Sequence, residues 1–261
     1  AHTSDEVTLT FELVADRVEL GSESDADLDT DVPEFAVAGG AFAAEVQPEV
    51  AKWISDVNSL AADVKEQRLS QVDWQKQVEQ LFSKVPPEDL LKFVRFDELT
   101  KNLKFLDNGA KSLRPKLPEV EGLPKKLIFG RQIFAMKKGR SVVPHGHNNM
   151  ATAFLVVKGQ LHGRHYDRIE DQKKHILIRP TIDRQFAPGE SSSISDYKDN
   201  IHWFKATTET AFVFNIHVLS VRPGSALTTG RVYVDPNGEE LSGGLIRAER
   251  IGHKQAHELY G

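Results

Sequence analysis

The sequence predicts a mainly β protein, an antiparallel barrel or sandwich with an α-helical extension before it. From about residue 125 onward, short segments rich in β-branched and aromatic residues are separated by Gly or Pro. The clearest of these segments cover residues 127–136, 152–159, 175–180 and 209–221. Many short strands at regular spacing are typical of an antiparallel barrel or sandwich.

The helical extension is predicted from the apolar spacing of residues 48–104. Pro48 opens a first helix, and Ser70 with Asp73 resembles a capping box ahead of a second. Pro86–Pro87 ends the second helix, and a third follows. We expect the apolar faces of these helices to pack against the sheet, with a partner-binding face as the alternative.

The segment before the helices is strongly acidic, although the 261-residue chain carries a net charge of only −5. Residues 7–14 alternate as in a strand, and residues 1–34 hold eleven acidic residues against Arg17 alone. Alternate aspartates from Asp25 to Asp31 resemble the start of a calcium loop, but the Gly and Glu that such a loop needs are missing. A solvated acidic loop is the favoured interpretation, with calcium binding as the alternative.

We expect three parts along the chain. They are an N-terminal strand and acidic segment at 1–45, a helical region at 46–112 and the β-barrel domain at 113–261. We expect a cytoplasmic protein. The alternative is a periplasmic or secreted protein whose signal peptide was removed before Ala1. No apolar run reaches the roughly 18 residues of a membrane helix, so we expect a soluble protein with no membrane partner.

Composition excludes several classes of function. The chain has no cysteine, which excludes disulfide scaffolds, zinc fingers, iron–sulfur clusters and cysteine nucleophiles. Its basic residues are scattered and few aromatic residues lie among them, so no nucleic-acid partner is expected. The sequence contains no Gly-rich phosphate loop and no Gly-x-Ser-x-Gly elbow.

The histidines are the residues most suggestive of chemistry. Of the ten in the chain, seven fall within residues 145–217. They are His145, His147, His162, His165, His175, His202 and His217. Because residues two apart in a strand project to the same face, His145 and His147 can reach one metal ion.

The spacing around this histidine pair resembles the first motif of the cupins. Gly139 is followed by five residues, His145-x-His147, four residues, Thr152, six residues and Gly159. Thr152 stands where many cupins have a metal-binding Glu, so the resemblance implies a site built from histidines only. It also implies the cupin fold, a double-stranded β-helix barrel, which here follows the helical extension.

Within the cupins, residues 125–220 resemble the three-histidine thiol dioxygenases of the cysteamine dioxygenase and plant cysteine oxidase type. The likeness rests on residues 144–167, including His162 and the Tyr166-Asp167 step, and on Asn200-Ile201-His202. It implies that His145, His147 and His202 bind Fe(II), and that a small thiol is oxidised to a sulfinate with O2. The chain departs from the family in having no cysteine for a Cys–Tyr crosslink, and Asn215 falls near an Asp used by plant cysteine oxidases.

The same resemblance implies roles for three further residues. His162 is expected to orient a metal ligand as an outer partner, with a fourth-ligand role as the alternative. Tyr166 and Asp167 are expected to line the substrate pocket, with the rim of the barrel as their alternative place.

Two other functions remain open at this stage. One is a metal-dependent cupin enzyme that uses Ni, Mn or Zn for ring-cleaving dioxygenation, isomerisation or lysis. The other is a cupin that binds a ligand or a partner without catalysis. In each case a small-molecule ligand is expected, together with a homodimer formed through the sheets.

Overall fold

The computed structural model describes residues 47–226 and 228–261. The predicted strand at 7–14, the acidic segment and the alternative calcium loop lie outside the described residues. Among the residues that are described, no helix is long and apolar enough to span a membrane.

The helical extension predicted from the sequence forms four helices. They are α1 (Gln47–Lys65), α2 (Gln71–Phe82), α3 (Pro87–Phe93) and α4 (Phe96–Thr100). Ser70 caps α2, because its side chain accepts a hydrogen bond from the Asp73 N–H at 3.1 Å. Pro87 occupies the first turn of α3, where its missing N–H costs no helical hydrogen bond. The predicted cap at Ser70 is therefore present, whereas α2 already ends at Phe82 and the Pro86–Pro87 pair begins α3.

Eleven strands follow among the described residues. They are β1 (Lys111–Leu113), β2 (Gly130–Lys137), β3 (Ser141–Asn148), β4 (Met150–Lys158), β5 (Leu161–Asp171), β6 (His175–Phe186), β7 (Ser191–Ile194), β8 (Ile201–Ala206), β9 (Thr210–Leu219), β10 (Gly230–Leu241) and β11 (Leu245–Ile251). A short 3₁₀ turn at Ser242–Gly244 joins the last two strands, and α5 (His253–Tyr260) ends the chain.

The strand order defines the fold. One sheet has the order β1-β2-β9-β4-β7, and the second contains the order β3-β8-β5-β6. Counted from β2, these are strands 1-8-3-6 in one sheet and 2-7-4-5 in the other, so the chain crosses between sheets at most steps. All of these pairings are antiparallel. The fold is therefore the double-stranded β-helix of the cupins, as predicted, with the helical extension before it.

Two additional strands extend the second sheet into a closed ring. Strand β10 pairs with the free edge of β3, β11 pairs with β10, and β11 also pairs with β6. The second sheet thus has two covered faces, one towards the first sheet and one towards the inside of this six-stranded ring. Closure also removes the exposed edges that a sheet would otherwise present.

Three apolar clusters fill the structure. The helices pack on the outer face of the first sheet, where Trp53, Phe82 and Phe214 are buried. Phe154, Phe186 and Phe204 belong to the cluster between the two sheets. A third cluster fills the six-stranded ring; its buried members are Tyr166, Ile176, Ile178, Ile201, Val234 and Ala248.

Helix α2 also makes buried polar contacts with β7, at the edge of the first sheet. The Gln75 side chain donates to the Ser193 carbonyl at 3.0 Å and accepts from the Ser195 hydroxyl at 2.7 Å. These hydrogen bonds satisfy polar groups that would otherwise be costly to bury. They fix β7, whose Ser192 faces the space between the sheets.

Trp53 provides a test of the packing between the helices and the barrel. Its indole N–H donates to the Leu81 carbonyl at 2.8 Å, and its ring lies 5.2 Å from that of Phe82 and 6.2 Å from that of Phe214. We predict that Trp53→Ala lowers the free energy of unfolding by about 3–5 kcal/mol, since a large buried side chain is replaced by a cavity. Trp53→Phe should cost less. Urea unfolding measures both; a Trp53→Ala midpoint equal to that of the wild type would contradict this packing.

Candidate metal centre

Three buried histidines form one cluster on the second sheet. His145 and His147 lie on β3, and His202 lies on the neighbouring β8, directly opposite His145 in the register. One ring nitrogen from each lies within 4.8 Å of the other two. The ring centroid of His145 lies 4.8 Å from that of His147 and 4.2 Å from that of His202. Among the residues described, this is the one group of three or more His, Asp or Glu side chains arranged to hold a metal ion.

Steric crowding explains why a glycine, Gly146, stands between His145 and His147. Gly146 points to the opposite face from His145 and His147, as alternation along a strand requires. A Cβ atom at this position would lie 2.5 Å from both the Asn200 Oδ1 and the Ile201 Cδ1 atoms. A side chain at position 146 would therefore require the Asn200 and Ile201 side chains to shift, whereas glycine fits between them while the two imidazoles share the face that looks between the sheets.

Backbone carbonyls orient two of the three rings. The Nδ1 atom of His145 lies 2.8 Å from the Val143 carbonyl oxygen, and that of His202 lies 3.2 Å from the Asn200 carbonyl oxygen. Because a carbonyl only accepts, each Nδ1 carries the proton and each Nε2 is left with its lone pair. This is the usual support for histidines that bind metals through Nε2. Asn200 also holds β3, since its side-chain amide donates to the His147 carbonyl at 2.9 Å.

Burial keeps the three histidines neutral. Desolvation, with the charges of neighbouring histidines and Arg231, holds the pKa of His145 and of His147 well below 6.5. Burial, followed by the charge of His165, lowers the pKa of His202 to about 3. The cluster therefore presents three neutral imidazoles at pH 7, which is the protonation state in which histidine binds a metal.

The donor set fits a transition metal. Three imidazole nitrogens suit Fe, Ni, Cu or Zn, whereas Mg and Ca prefer oxygen donors. His147 has a buried Nδ1 with no hydrogen-bond partner among the described residues, and the hydroxyl of Thr152 is in the same state. Buried polar atoms of this kind are normally satisfied, so their presence here indicates that a bound group completes the site.

The facing sheet contributes polar groups, among them Thr152, Asn215 and His217, which lies opposite Thr152. Phe154 on β4 lies with its ring 5.1 Å from that of His202. Thr152 is two residues earlier on the same strand, and Asn215 on β9 is directly opposite Phe154, so both share its face. Thr152 Oγ1 and Asn215 Oδ1 are buried without a partner in the described part of the chain. A hydroxyl and an amide thus occupy this wall.

A fourth buried histidine lies beside the cluster, and sequence reasoning assigned it no role. His165 on β5 is opposite His202 on β8, with ring centroids 6.3 Å apart. Its Nε2 atom lies 3.4 Å from the Ser192 hydroxyl, and burial lowers its pKa to about 3. His165 on the second sheet thus contacts Ser192 on the first sheet, beside the three-histidine cluster. The pairing of β5 with β8 is the signal that identifies His165, because it sets His165 directly opposite His202.

The structure does not bring His162 to the cluster. His162 lies three residues before His165 on β5, and its Nε2 contacts the Asp183 carboxylate on the other face of the sheet. Its Nδ1 is 3.4 Å from the amide nitrogen of Gln185. No contact within the described part of the chain supports its expected role as an outer partner, and the fourth-ligand alternative requires the opposite face.

Tyr166 and Asp167 contact groups other than the three histidines. Tyr166 is buried in the core of the six-stranded ring, and this burial raises the pKa of its phenol. Asp167 accepts a hydrogen bond from the Asp199 N–H at 2.9 Å. Neither side chain has a hydrogen bond or ring contact with the cluster among the described residues, so the expected pocket lining comes from other strands.

Those other strands include β10, which the sequence pattern did not connect with the site. Arg231 lies opposite His147 and Tyr233 lies opposite His145 in the antiparallel register. The Tyr233 ring is 5.9 Å from that of His145 and 5.2 Å from that of His253 on α5. Both residues are more than 80 positions along the chain from the histidine pair, and no local motif marks them.

The chain is similar to several solved structures at low sequence identity. No family model matches the chain. No curated protein matches it either. Similar solved structures include procruciferin, an 11S globulin from Brassica napus (14% identity, TM-score 0.29), where the match covers 40% of this chain and only 22% of that one. Recombinant oxalate oxidase in complex with glycolate is 18% identical (TM-score 0.33; 49% and 56% of the two chains). A cupin superfamily protein from Desulfitobacterium hafniense DCB-2 is 15% identical (TM-score 0.30; 46% and 87%). These likenesses are too slight to carry an activity to this chain.

Metal binding by the cluster can be tested by substitution. We predict that His145→Ala, His147→Ala and His202→Ala each weaken metal binding by more than about a hundredfold, the upper end of the loss caused by removing an outer partner. Metal analysis after dialysis measures the content. His175→Gln, on β6 opposite Glu249, is the matched control and should retain the metal. Equal metal content in all four variants would contradict the assignment.

Burial of these histidines also predicts how the stability of the metal-free protein depends on pH. Between pH 6.5 and the lowered folded-state pKa values, the unfolded chain binds protons that the folded chain does not, so stability falls as the pH falls. Each such histidine contributes about 1.4 kcal/mol per pH unit. Urea unfolding with a chelator, between pH 7.5 and 5, measures this slope. His165→Gln should make it shallower, and an unfolding midpoint independent of pH would rule out the buried neutral state.

Proposed function

We propose that this protein is an Fe(II)-dependent dioxygenase that oxidises a small thiol to a sulfinate with O2. The observation that carries the proposal is the set of three buried, neutral imidazoles from His145, His147 and His202, with Thr152 where many cupins have a carboxylate ligand. The resemblance of residues 125–220 to the three-histidine thiol dioxygenases supports the same activity.

The charge of the donor set is the physical reason. Three neutral ligands leave the 2+ charge of the ion uncompensated, so an anionic ligand such as a thiolate is favoured over a neutral one. Fe(II), when bound, supplies open coordination positions for the thiolate and O2 and lowers the pKa of the thiol. The three histidines would hold the ion, and the backbone hydrogen bonds of His145 and His202 leave the Nε2 lone pairs of these two rings available to it.

The surrounding residues supply orientation and exclude water. Phe154 and Phe204 are buried with His202 between the sheets, and they limit the access of solvent to the inner side of the site. The unpartnered oxygens of Thr152 and Asn215 are available to orient a substrate by hydrogen bonds. Holding both reactants in one place supplies much of the rate in reactions of this kind.

The overall reaction balances without an external reductant. One thiol, R–SH, and one O2 give one sulfinic acid, R–SO2H. Two S–O bonds form, the O–O bond breaks, and the thiol proton remains with the product. Sulfur is oxidised by four electrons, and O2 accepts all four.

Oxygen consumption by the iron-loaded protein tests the proposal. We expect uptake of one O2 per thiol with cysteine, cysteamine or 3-mercaptopropionate, and a product with two added oxygen atoms by mass spectrometry. His202→Ala should abolish the uptake, and His175→Gln should preserve it. The oxygen analogue ethanolamine, matched to cysteamine, should give no uptake.

Other results separate the remaining functions. Bound iron without thiol-dependent uptake would refute the proposal. Tight binding of Ni, Mn or Zn instead of iron would favour another metal-dependent cupin enzyme. A protein that binds no metal when every one of these ions is supplied would favour a ligand-binding cupin without catalysis.

A further inference from the structure

The edge of the candidate metal centre is formed by β10, a strand outside the eight of the double-stranded β-helix. Arg231 and Tyr233 are directly opposite His147 and His145 across an antiparallel pair. Residues in such positions project to the same face, with Cβ atoms about 5 Å apart. The two side chains of β10 therefore flank the two strand histidines, and we name Arg231 and Tyr233 the rim pair.

Among the described residues, no carboxylate pairs with the guanidinium of Arg231. Arg231 is exposed, and its side chain takes part in no hydrogen bond or ion pair within that part of the chain. Asp235 lies two residues beyond Tyr233 on the same strand, but its carboxylate contacts the Tyr260 hydroxyl and accepts from the Asn237 N–H at 2.9 Å. The nearest acidic residue along this strand is thus engaged elsewhere.

The positive charge of Arg231 acts on all three histidines of the cluster. It contributes to lowering the pKa of His145, His147 and His202 alike. On the facing wall, Thr152 and Asn215 are uncharged. A divalent ion held by three neutral imidazoles would therefore share the site with a further unpaired cation, which favours ligands that carry more than one negative charge.

We propose that the rim pair recognises a carboxylate on the substrate, and that the natural substrate carries this carboxylate a few atoms from the group that binds the metal. Arg231 holds the carboxylate by charge-assisted hydrogen bonds, and the Tyr233 hydroxyl donates a second one. The inference rests on the proposed function for the identity of the metal-binding group, a thiolate. It selects 3-mercaptopropionate over cysteamine, whose ammonium group would face a cation of the same sign.

Ligand binding without oxygen tests this inference separately from turnover. The probes are 3-mercaptopropionate, cysteamine and malonate, titrated into the anaerobic iron-loaded protein and followed by calorimetry. For Arg231→Gln we expect about a tenfold or greater loss of affinity for 3-mercaptopropionate and malonate, which corresponds to one hydrogen bond between charged groups. Affinity for cysteamine should be unchanged or higher, and Arg231→Lys should recover part of the loss.

The matched control is Arg95→Gln. It removes the same charge from an exposed arginine beside Glu98, at 3.7 Å, on the helical side of the protein. Its affinities for all three probes should equal those of the wild type. Equal losses for 3-mercaptopropionate and cysteamine in Arg231→Gln, or no loss in either, would overturn carboxylate recognition. Arg231-dependent binding of malonate without any binding of thiols would support the rim pair while contradicting the thiol substrate.

Discussion

The antiparallel pairing of β3 with β8, in the register that sets His145 opposite His202, is the constraint on which the rest of the site depends. This register places one imidazole of the β3 pair against the imidazole of β8, and alternation along β3 adds the second. A shift by one residue would turn every one of these side chains to the other face of the sheet. The tight packing of Gly146 against Asn200 and Ile201 opposes such a shift.

Burial gives the cluster its chemistry and has a cost in stability. The enclosing strands and the apolar residues between the sheets hold the histidines neutral, so their nitrogen lone pairs are available at pH 7. Neutral imidazoles with unmet hydrogen-bonding capacity are unfavourable in an apolar interior. A bound metal ion would offset that cost, which couples metal affinity to folding. None of the three residues in the cluster is a carboxylate, so a bound metal ion would favour anions as its additional ligands.

Local pattern in the sequence was sufficient for the helices, the antiparallel strands and the His145–His147 pair, while the cupin fold and the third histidine, His202, were predicted from the family resemblance. Strand alternation, the capping residue Ser70 and the His-Gly-His spacing each act within a few residues. The distinction between His162 and His165 depends on which face of β5 turns towards the first sheet, and both are histidines on one strand, so composition cannot separate them. Arg231 and Tyr233 enter the site only because β10 pairs with β3, a long-range contact with no local signal. The position of Tyr166 is likewise set by long-range pairing: the family likeness implied a role in the pocket, whereas the side chain lies in the core of the six-stranded ring.

X-ray absorption spectroscopy of the metal-loaded protein tests the central claim most directly, since it reports the ligands of the ion without requiring turnover. The account predicts about three histidine nitrogens in the first shell at roughly 2.0–2.2 Å, with solvent filling the other positions. It also predicts that the histidine contribution is lost in His202→Ala. A first shell dominated by protein carboxylate oxygens, or one unchanged in His202→Ala, would contradict it.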